Sequence, residues 1–181
     1  MFKKTRIIGI SRLLLIVFTT LILGSCTSIP EGAIPVTGFE KEKYLGKWYE
    51  IARMDFKFER NLNNTTAEYA VREDGLISVL NKGYNYLTDE WQEAIGKAKF
   101  VKGEDVGQLK VSFFGPFYGG YNIIGLTEDY QYALVAGDNL DLLWILGRET
   151  NIPEDVQEAF IEIAEEIGYH TEDLIWVEHM K

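Results

Sequence analysis

Cysteine and histidine are scarce in this chain, and their scarcity excludes several kinds of chemistry. Cys26 is the one cysteine among 181 residues, so no disulfide can form within the chain. The two histidines, His170 and His179, come near the C-terminus, far from any cysteine or serine arrangement typical of nucleophilic catalysis. We therefore expect no catalytic residues, no metal site and no cofactor.

Basic residues are outnumbered by acidic ones, 18 to 28, which gives a formal net charge of −10. Four of the 18 basic residues and no acidic residue lie in the first 25 positions, so the rest of the chain has 14 basic and 28 acidic side chains and a formal charge of −14. Such a surface repels phosphate groups, so nucleic acid is not an expected partner. Solubility is the simplest explanation of the excess acid.

No apolar run has the usual length of a membrane span, and the run nearest the N-terminus has the parts of a secretory signal instead. Four basic residues lie within positions 1–12, an apolar stretch covers 13–23, and small residues follow. We predict that residues 1–25 form a signal peptide. A retained transmembrane helix and an ordinary secretory cleavage site are the alternatives.

The residues that end this segment, Leu23-Gly24-Ser25-Cys26, resemble a lipobox. The resemblance implies that Cys26 is acylated on its thiol and then on its freed amino group, and several acyl chains anchor a protein stably. Thr27 stands where an aspartate would suggest retention at the inner membrane, so the resemblance favours the outer membrane. Residues 26–40 are predicted to be the lipidated N-terminus and a flexible tether, because proline and glycine recur in them.

Residues 41–181 have the length and composition of one domain, built mainly of strands that are separated by turns. Hairpin and turn signals such as Asp74-Gly75 divide the apolar runs. Eight strands are predicted near 46–56, 65–73, 76–84, 91–101, 107–114, 119–127, 131–137 and 142–149. Their spacing favours an antiparallel meander closed into a barrel over alternating strands and helices.

One segment after the strands has the apolar period of a helix. Between Pro153 and Gly168 the apolar residues share one face, and both ends carry residues typical of helix termini. This helix is predicted to pack on the outside of the barrel. The apolar segment 174–177 is a candidate ninth strand at an open edge.

Three motifs, at residues 46–53, at residues 127–130 and at Arg148, resemble the signatures of the lipocalins, and of their bacterial lipoprotein and apolipoprotein D-like branch in particular. The segment Gly46-Lys47-Trp48-Tyr49-Glu50-Ile51-Ala52-Arg53 matches the first signature. Thr127-Glu128-Asp129-Tyr130 is similar to the second signature with one extra residue, and Arg148 fits the third. Segments 81–85, 110–122 and 143–146 also resemble the bacterial branch.

The resemblance implies an all-β fold, an eight-stranded antiparallel up-and-down lipocalin barrel with one C-terminal α-helix packed outside. It also implies that the Arg148 guanidinium lies across the face of Trp48 at the closed end of the barrel, a cation–π contact. The signature residues are therefore expected to build the scaffold and not to bind ligand: Gly46, Trp48, Asp129, Tyr130 and Arg148.

Alternation along the strands predicts which side chains face a largely apolar cavity. The predicted cavity residues are Ala52, Met54, Tyr69, Ala98, Phe100, Tyr121, Tyr132, Leu142 and Trp144. A β-bulge would reverse these inward assignments, and bulky neighbours would fill the space. On the first strand, alternation from Trp48 also places the carboxylate of Glu50 inward.

These observations predict a lipocalin, anchored by Cys26 at the bacterial outer membrane, that binds, stores or transports a fatty acid or lysophospholipid. It is not expected to be an enzyme. The alternatives are a lipid-modifying enzyme, which would need an ionisable group such as Glu50 inside the barrel, and an envelope interaction protein with a filled barrel. The sequence leaves a homodimer open and fixes neither headgroup nor chain length.

Overall fold

The computed structural model describes residues 29–180, which form one antiparallel sheet with short helices around it. The helices are α1 (Lys41–Tyr44) and α2 (Glu154–Ile167), with a 3₁₀ turn at Thr171–Asp173. The strands are β1 (Gly46–Arg53), β2 (Leu62–Val71), β3 (Ile77–Asn85), β4 (Glu90–Phe100), β5 (Gln108–Ser112), β6 (Gly119–Leu126), β7 (Tyr132–Ala136), β8 (Leu143–Gly147) and β9 (Ile175–Trp176).

The first eight strands close into a barrel. Each strand from β2 to β7 pairs with the next along the chain, and β1 pairs with both β8 and β2. Tyr49 lies at the junction, opposite Gly147 on one side and Thr66 on the other. This architecture confirms the predicted fold class, although β5 and β8 are shorter than the sequence indicates.

The direction of β1 defines two ends of the barrel. Because β1 starts beside α1 and β2 returns antiparallel to it, loops alternate between the ends. The loops 54–61, 86–89, 113–118 and 137–142 share the end at which β1 finishes, which we call the open end. The opposite, closed end holds α1 and the start of β1.

Helix α2 covers one outer face of the barrel, as the sequence predicts. Its residues Phe160 and Ala164 are buried in a second core, which is separate from the core inside the barrel. Gly125 on β6 permits this approach, because a Cβ there would meet the Phe160 ring at 3.1 Å. Gly168 ends the helix with φ of +105°, a left-handed conformation that glycine adopts readily.

A bulge in β1 corrects two cavity predictions. The pairing with β8 shifts between Glu50 and Ala52, so Ile51 and Ala52 both pack in the outer core and Met54 packs against it. The extra residue interrupts the alternation. Arg53, and not Ala52, therefore lies on the same face as Glu50 and donates a hydrogen bond to it. Ala52 and Met54 therefore lie outside the cavity.

Tyr132 is also on the other face from the one predicted. It lies opposite Gly147 and packs in the outer core, whereas its neighbour Ala133 lies opposite Leu146 in the inner core. Because side chains alternate along a strand, the inward position of Ala133 places Tyr132 outside the cavity.

The C-terminal segment pairs with the last residues of β1, near the open end, which confirms the predicted ninth strand. Strand β9 pairs with β1 where β2 has diverged from it, and the Val177 N–H donates to the Ile51 carbonyl at 2.9 Å. On the other side, the Asn64 N–H of β2 donates to the Glu178 carbonyl at 2.8 Å. The segment therefore bridges the two strands.

Residues 29–40 lie against the barrel, which differs from the flexible tether predicted for them. Pro30 and Phe39 are buried, and the Val36 N–H donates to the Ile123 carbonyl at 2.9 Å. Cys26 and the predicted signal peptide lie outside the described residues.

Candidate ligand cavity

The barrel encloses a cavity of about 510 Å³, open at one end and lined mostly by apolar side chains. This volume is within the range of small-molecule sites. Of the predicted residues, the cavity wall includes Tyr69, Ala98, Tyr121, Leu142 and Trp144. Phe100 is not on the wall: it packs against the inner core, with its ring 6.0 Å from that of Phe39. The barrel is therefore not filled by its own side chains.

Small residues on β4 help to create this space. Ala94 and Ala98 contribute little volume to the wall, and Gly96 between them has no side chain at all. A Cβ at Gly96 would lie 2.8 Å from the Phe113 ring, so glycine lets that ring pack against the strand. The apolar residues around the space form a dry surface suited to an acyl chain.

The closed end is built on Trp48 and Arg148. The Arg148 guanidinium carbon lies 3.8 Å from the centre of the Trp48 ring system, and Trp48 is completely buried. The guanidinium also donates to the carbonyls of Lys47 and Lys43, both at 2.8 Å. Gly46 has φ of +94°, which allows the backbone to pass beneath the arginine.

The other two signature residues shape a loop at the same end. The Thr127 hydroxyl donates to the Asp129 carboxylate at 2.7 Å, and this bond holds the pKa of Asp129 below its usual range. The Tyr130 hydroxyl accepts the Glu40 N–H at 2.8 Å, and the Tyr130 carbonyl accepts from Arg148. These contacts are structural and lie away from the cavity wall.

Three tyrosine hydroxyls form a chain on the cavity wall. Tyr121 shares hydrogen bonds with Tyr44 at 2.7 Å and with Tyr69 at 2.8 Å. Burial raises the pKa of all three phenols, so they are neutral at physiological pH. They add hydrogen-bonding groups without adding charge.

A cluster of charged side chains, Glu50, Arg53 and Glu59, lies beside the cavity. Arg53 Nη1 donates to Glu50 Oε1 at 2.7 Å, and Trp144 Nε1 donates to Glu59 Oε2 at 2.9 Å. Burial, followed by the Glu59 charge, raises the pKa of Glu50 to about 8, against the opposing effect of Arg53. Burial also raises the pKa of Glu59.

Sequence reasoning missed Arg53 and Glu59 as members of this cluster. Alternation assigns Arg53 to the outer face, and Glu59 belongs to the loop between β1 and β2, where exposed charge is usual. The one available signal is a glutamate and an arginine three positions apart in the second half of β1, where the residues between them are apolar.

Comparison with known proteins identifies the family. The model of the lipocalin-like domain matches residues 39–179. The chain belongs to the lipocalin family. It is 49% identical over 168 residues to outer membrane lipoprotein Blc of Vibrio cholerae, a match that covers 92% of this chain and 98% of that protein.

Further relatives agree with this assignment. Outer membrane lipoprotein Blc of Citrobacter freundii is 49% identical over 148 residues, which cover 82% of this lipocalin and 84% of the relative. Among solved structures, the cockroach allergen Per a 4 is similar with a TM-score of 0.65 at 22% identity, covering 84% of this chain and 96% of the allergen. That last similarity shows the shared fold alone.

The open end of this lipocalin carries exposed aromatic residues. Phe58, Phe114 and Phe117 are each more than half exposed, and the rings of Phe58 and Phe114 lie 6.1 Å apart. All three also contact the cavity, so its apolar surface continues onto the rim. Within residues 29–180, no helix is long and apolar enough to cross a membrane, and no group of side chains is arranged to hold a metal ion.

Proposed function

We propose that this lipocalin is an outer-membrane lipoprotein that binds a single-chain lipid, a fatty acid or a lysophospholipid, for storage or transfer at the bacterial envelope. The observation that carries the proposal is the open, mostly apolar cavity of about 510 Å³ inside a barrel whose closed end is sealed by Trp48 and Arg148. The names of the Vibrio and Citrobacter relatives support the location, as does the lipobox-like segment that ends at Cys26.

Removal of an acyl chain from water drives the binding. Burial of about fifteen carbons of a C16 chain at ~0.8 kcal/mol each gives roughly 12 kcal/mol, and an association cost of about 4 kcal/mol leaves about 8 kcal/mol. A net value of about 8 kcal/mol corresponds to a micromolar dissociation constant. No bond needs to form or break, so the function is binding and not catalysis.

The lipid that the protein carries tests this function. We would purify the lipidated protein from its native membranes, extract non-covalent lipids and identify them by mass spectrometry. Ala98→Phe places a bulky ring on the cavity wall, and Ala70→Phe makes the same change at an exposed position of β2.

The wild type and Ala70→Phe should each carry about one equivalent of single-chain lipid, and Ala98→Phe should carry much less. Equal amounts of lipid in all three proteins would place the lipid outside the barrel. If none of the three proteins carried bound lipid, the proposed lipid-binding function would be wrong. The cavity lies within one chain, so a homodimer stays a hypothesis that this function does not require.

A further inference from the structure

A group of hydrogen-bond acceptors faces the cavity near Glu50 and Glu59. The carboxylates of Glu50 and Glu59 both line it. Asn81 also lies on the wall, and its buried Oδ1 has no hydrogen-bond partner among the described residues. The Thr65 hydroxyl, in a residue that is 4% exposed, lies near enough to Glu50 to favour its charged form but makes no hydrogen bond of normal length.

The cations near these groups are already engaged. Besides Glu50, Arg53 donates to the backbone carbonyls of Glu59 at 2.8 Å and Leu62 at 3.1 Å, and it does not line the cavity. Lys41 and Lys82 do line it, but each is in an ion pair, with Glu104 at 2.7 Å and with Glu93 at 2.6 Å respectively. Within the described part of the chain, the carboxylate of a fatty acid would therefore find no unpaired cation on the wall.

The charge of the cluster favours a positive ligand group. Two carboxylates face one guanidinium, so the fully ionised cluster has one net negative charge in a poorly solvated place. Burial and the Glu59 charge raise the pKa of Glu50 to about 8, so the empty cavity tends to retain a proton there at neutral pH. A ligand that brings its own positive charge can take the place of that proton.

From this geometry we infer that the cavity selects a single-chain lipid whose polar group contains an ammonium, bound by Glu50 and Glu59. The inference rests on the proposed function, because the ammonium must enter on an acyl chain that occupies the same cavity. Its N–H groups match the acceptors on the wall, and hydrogen bonds between charged partners are stronger than neutral ones. The ammonium can belong to a free alkylamine or to the headgroup of a zwitterionic lysophospholipid.

Two ligand pairs of equal chain length test this selectivity. With the lipidated full chain held in amphipol, we would measure the dissociation constants of hexadecylamine and hexadecanoate by calorimetry below their micellar concentrations. The second pair is palmitoyl lysophosphatidylethanolamine and palmitoyl lysophosphatidylglycerol, whose headgroups differ in the ammonium. The ammonium ligand should bind about tenfold more tightly within a pair, as expected for one charge-assisted hydrogen bond.

A preference in both pairs assigns the site to an ammonium in either setting, and a preference in one pair identifies the source. Equal affinities within both pairs, or tighter binding of the anionic members, would overturn the inference while leaving the proposed function intact. If none of the four lipids binds, the proposed function fails, and this inference fails with it.

Glu59→Gln tests the residue itself. The glutamine keeps an oxygen that can accept the Trp144 N–H but removes the negative charge. It should weaken hexadecylamine binding about tenfold and leave hexadecanoate binding unchanged or tighter. Glu68→Gln, an exposed position on β2, is the matched control and should change neither constant. An unchanged hexadecylamine constant in Glu59→Gln would also overturn the inference, and the wild-type ligand pairs decide it if the variant does not fold.

Discussion

Trp144 donates its indole N–H to the Glu59 carboxylate, with 2.9 Å between Nε1 and Oε2, and so joins β8 to the loop between β1 and β2. The indole lies on the cavity wall, and its ring meets that of Phe56 edge-on at 6.3 Å. This contact places a fluorescent group and an acidic group of the cavity next to each other at the open end. A bound lipid should therefore affect both.

Trp48 and Arg148 should stabilise the closed end as one unit. Trp48→Ala empties a fully buried aromatic site, so we expect a loss of about 3–5 kcal/mol in the free energy of unfolding. Arg148→Ala should also destabilise the protein, since it removes the ring contact and the bonds to carbonyls. In a double-mutant cycle measured by urea denaturation, the double mutant should lose less unfolding free energy than the sum of the losses of the two single mutants. Strict additivity would show that the stacking contributes nothing.

Stability should fall as the pH rises from about 5 to about 8. Because burial raises the pKa of Glu50 from 4.5 to about 8, the folded protein binds a proton in this range that the unfolded chain has released. The stability that this bound proton contributes is complete at low pH. It is lost as the pH rises through the pKa of Glu50 in the folded protein. Urea denaturation across this range should show a shallower slope for Glu50→Gln than for wild type. Parallel slopes would mean that Glu50 does not retain a proton in the folded state.

The C-terminal segment should stabilise the join between β1 and β2. Deletion of residues 177–181 removes the bonds from Val177 N–H to Ile51 and from His179 Nε2 to the Glu50 carbonyl, together with two bonds to Asn64. At about 1 kcal/mol for each bond, the loss should be about 3–4 kcal/mol. His179→Ala, which removes one bond, should cost about 1 kcal/mol. Unchanged thermal unfolding of the deletion variant would show that the segment is not part of the stable fold.

The sequence predicts the barrel and its helix well because both rest on repeated patterns. In each of the eight alternating runs, and in the apolar stripe from Val156 to Ile167, many residues indicate the same element. The cavity is less predictable, since one extra residue at the β1 bulge places Ala52 outside and brings Arg53 to Glu50. Glu59 is harder still: a loop residue gains its role through a contact with Trp144, 85 positions away, which no local pattern contains.

Cys26→Ala should release the protein from membranes or block its processing. The proposed anchor depends on acylation of this thiol, and no helix within residues 29–180 can cross a membrane. Fractionation of cells, followed by a high-salt wash of the membranes, measures the change, with Ser28→Ala as the control. Retention of Cys26→Ala in the washed membrane pellet would contradict lipid anchoring at this residue.

The central claim, that the barrel binds one single-chain lipid, is tested most directly by titration of palmitoyl lysophospholipid into residues 27–181 and their Trp144→Phe variant. Tryptophan fluorescence reports the environment of the indole, and calorimetry reports binding independently of it. We predict saturable one-to-one binding to both proteins, with a fluorescence change that is largely lost in Trp144→Phe. The absence of saturable binding to the wild-type protein at about 50 µM lipid, where micromolar affinity would be evident, would contradict the account.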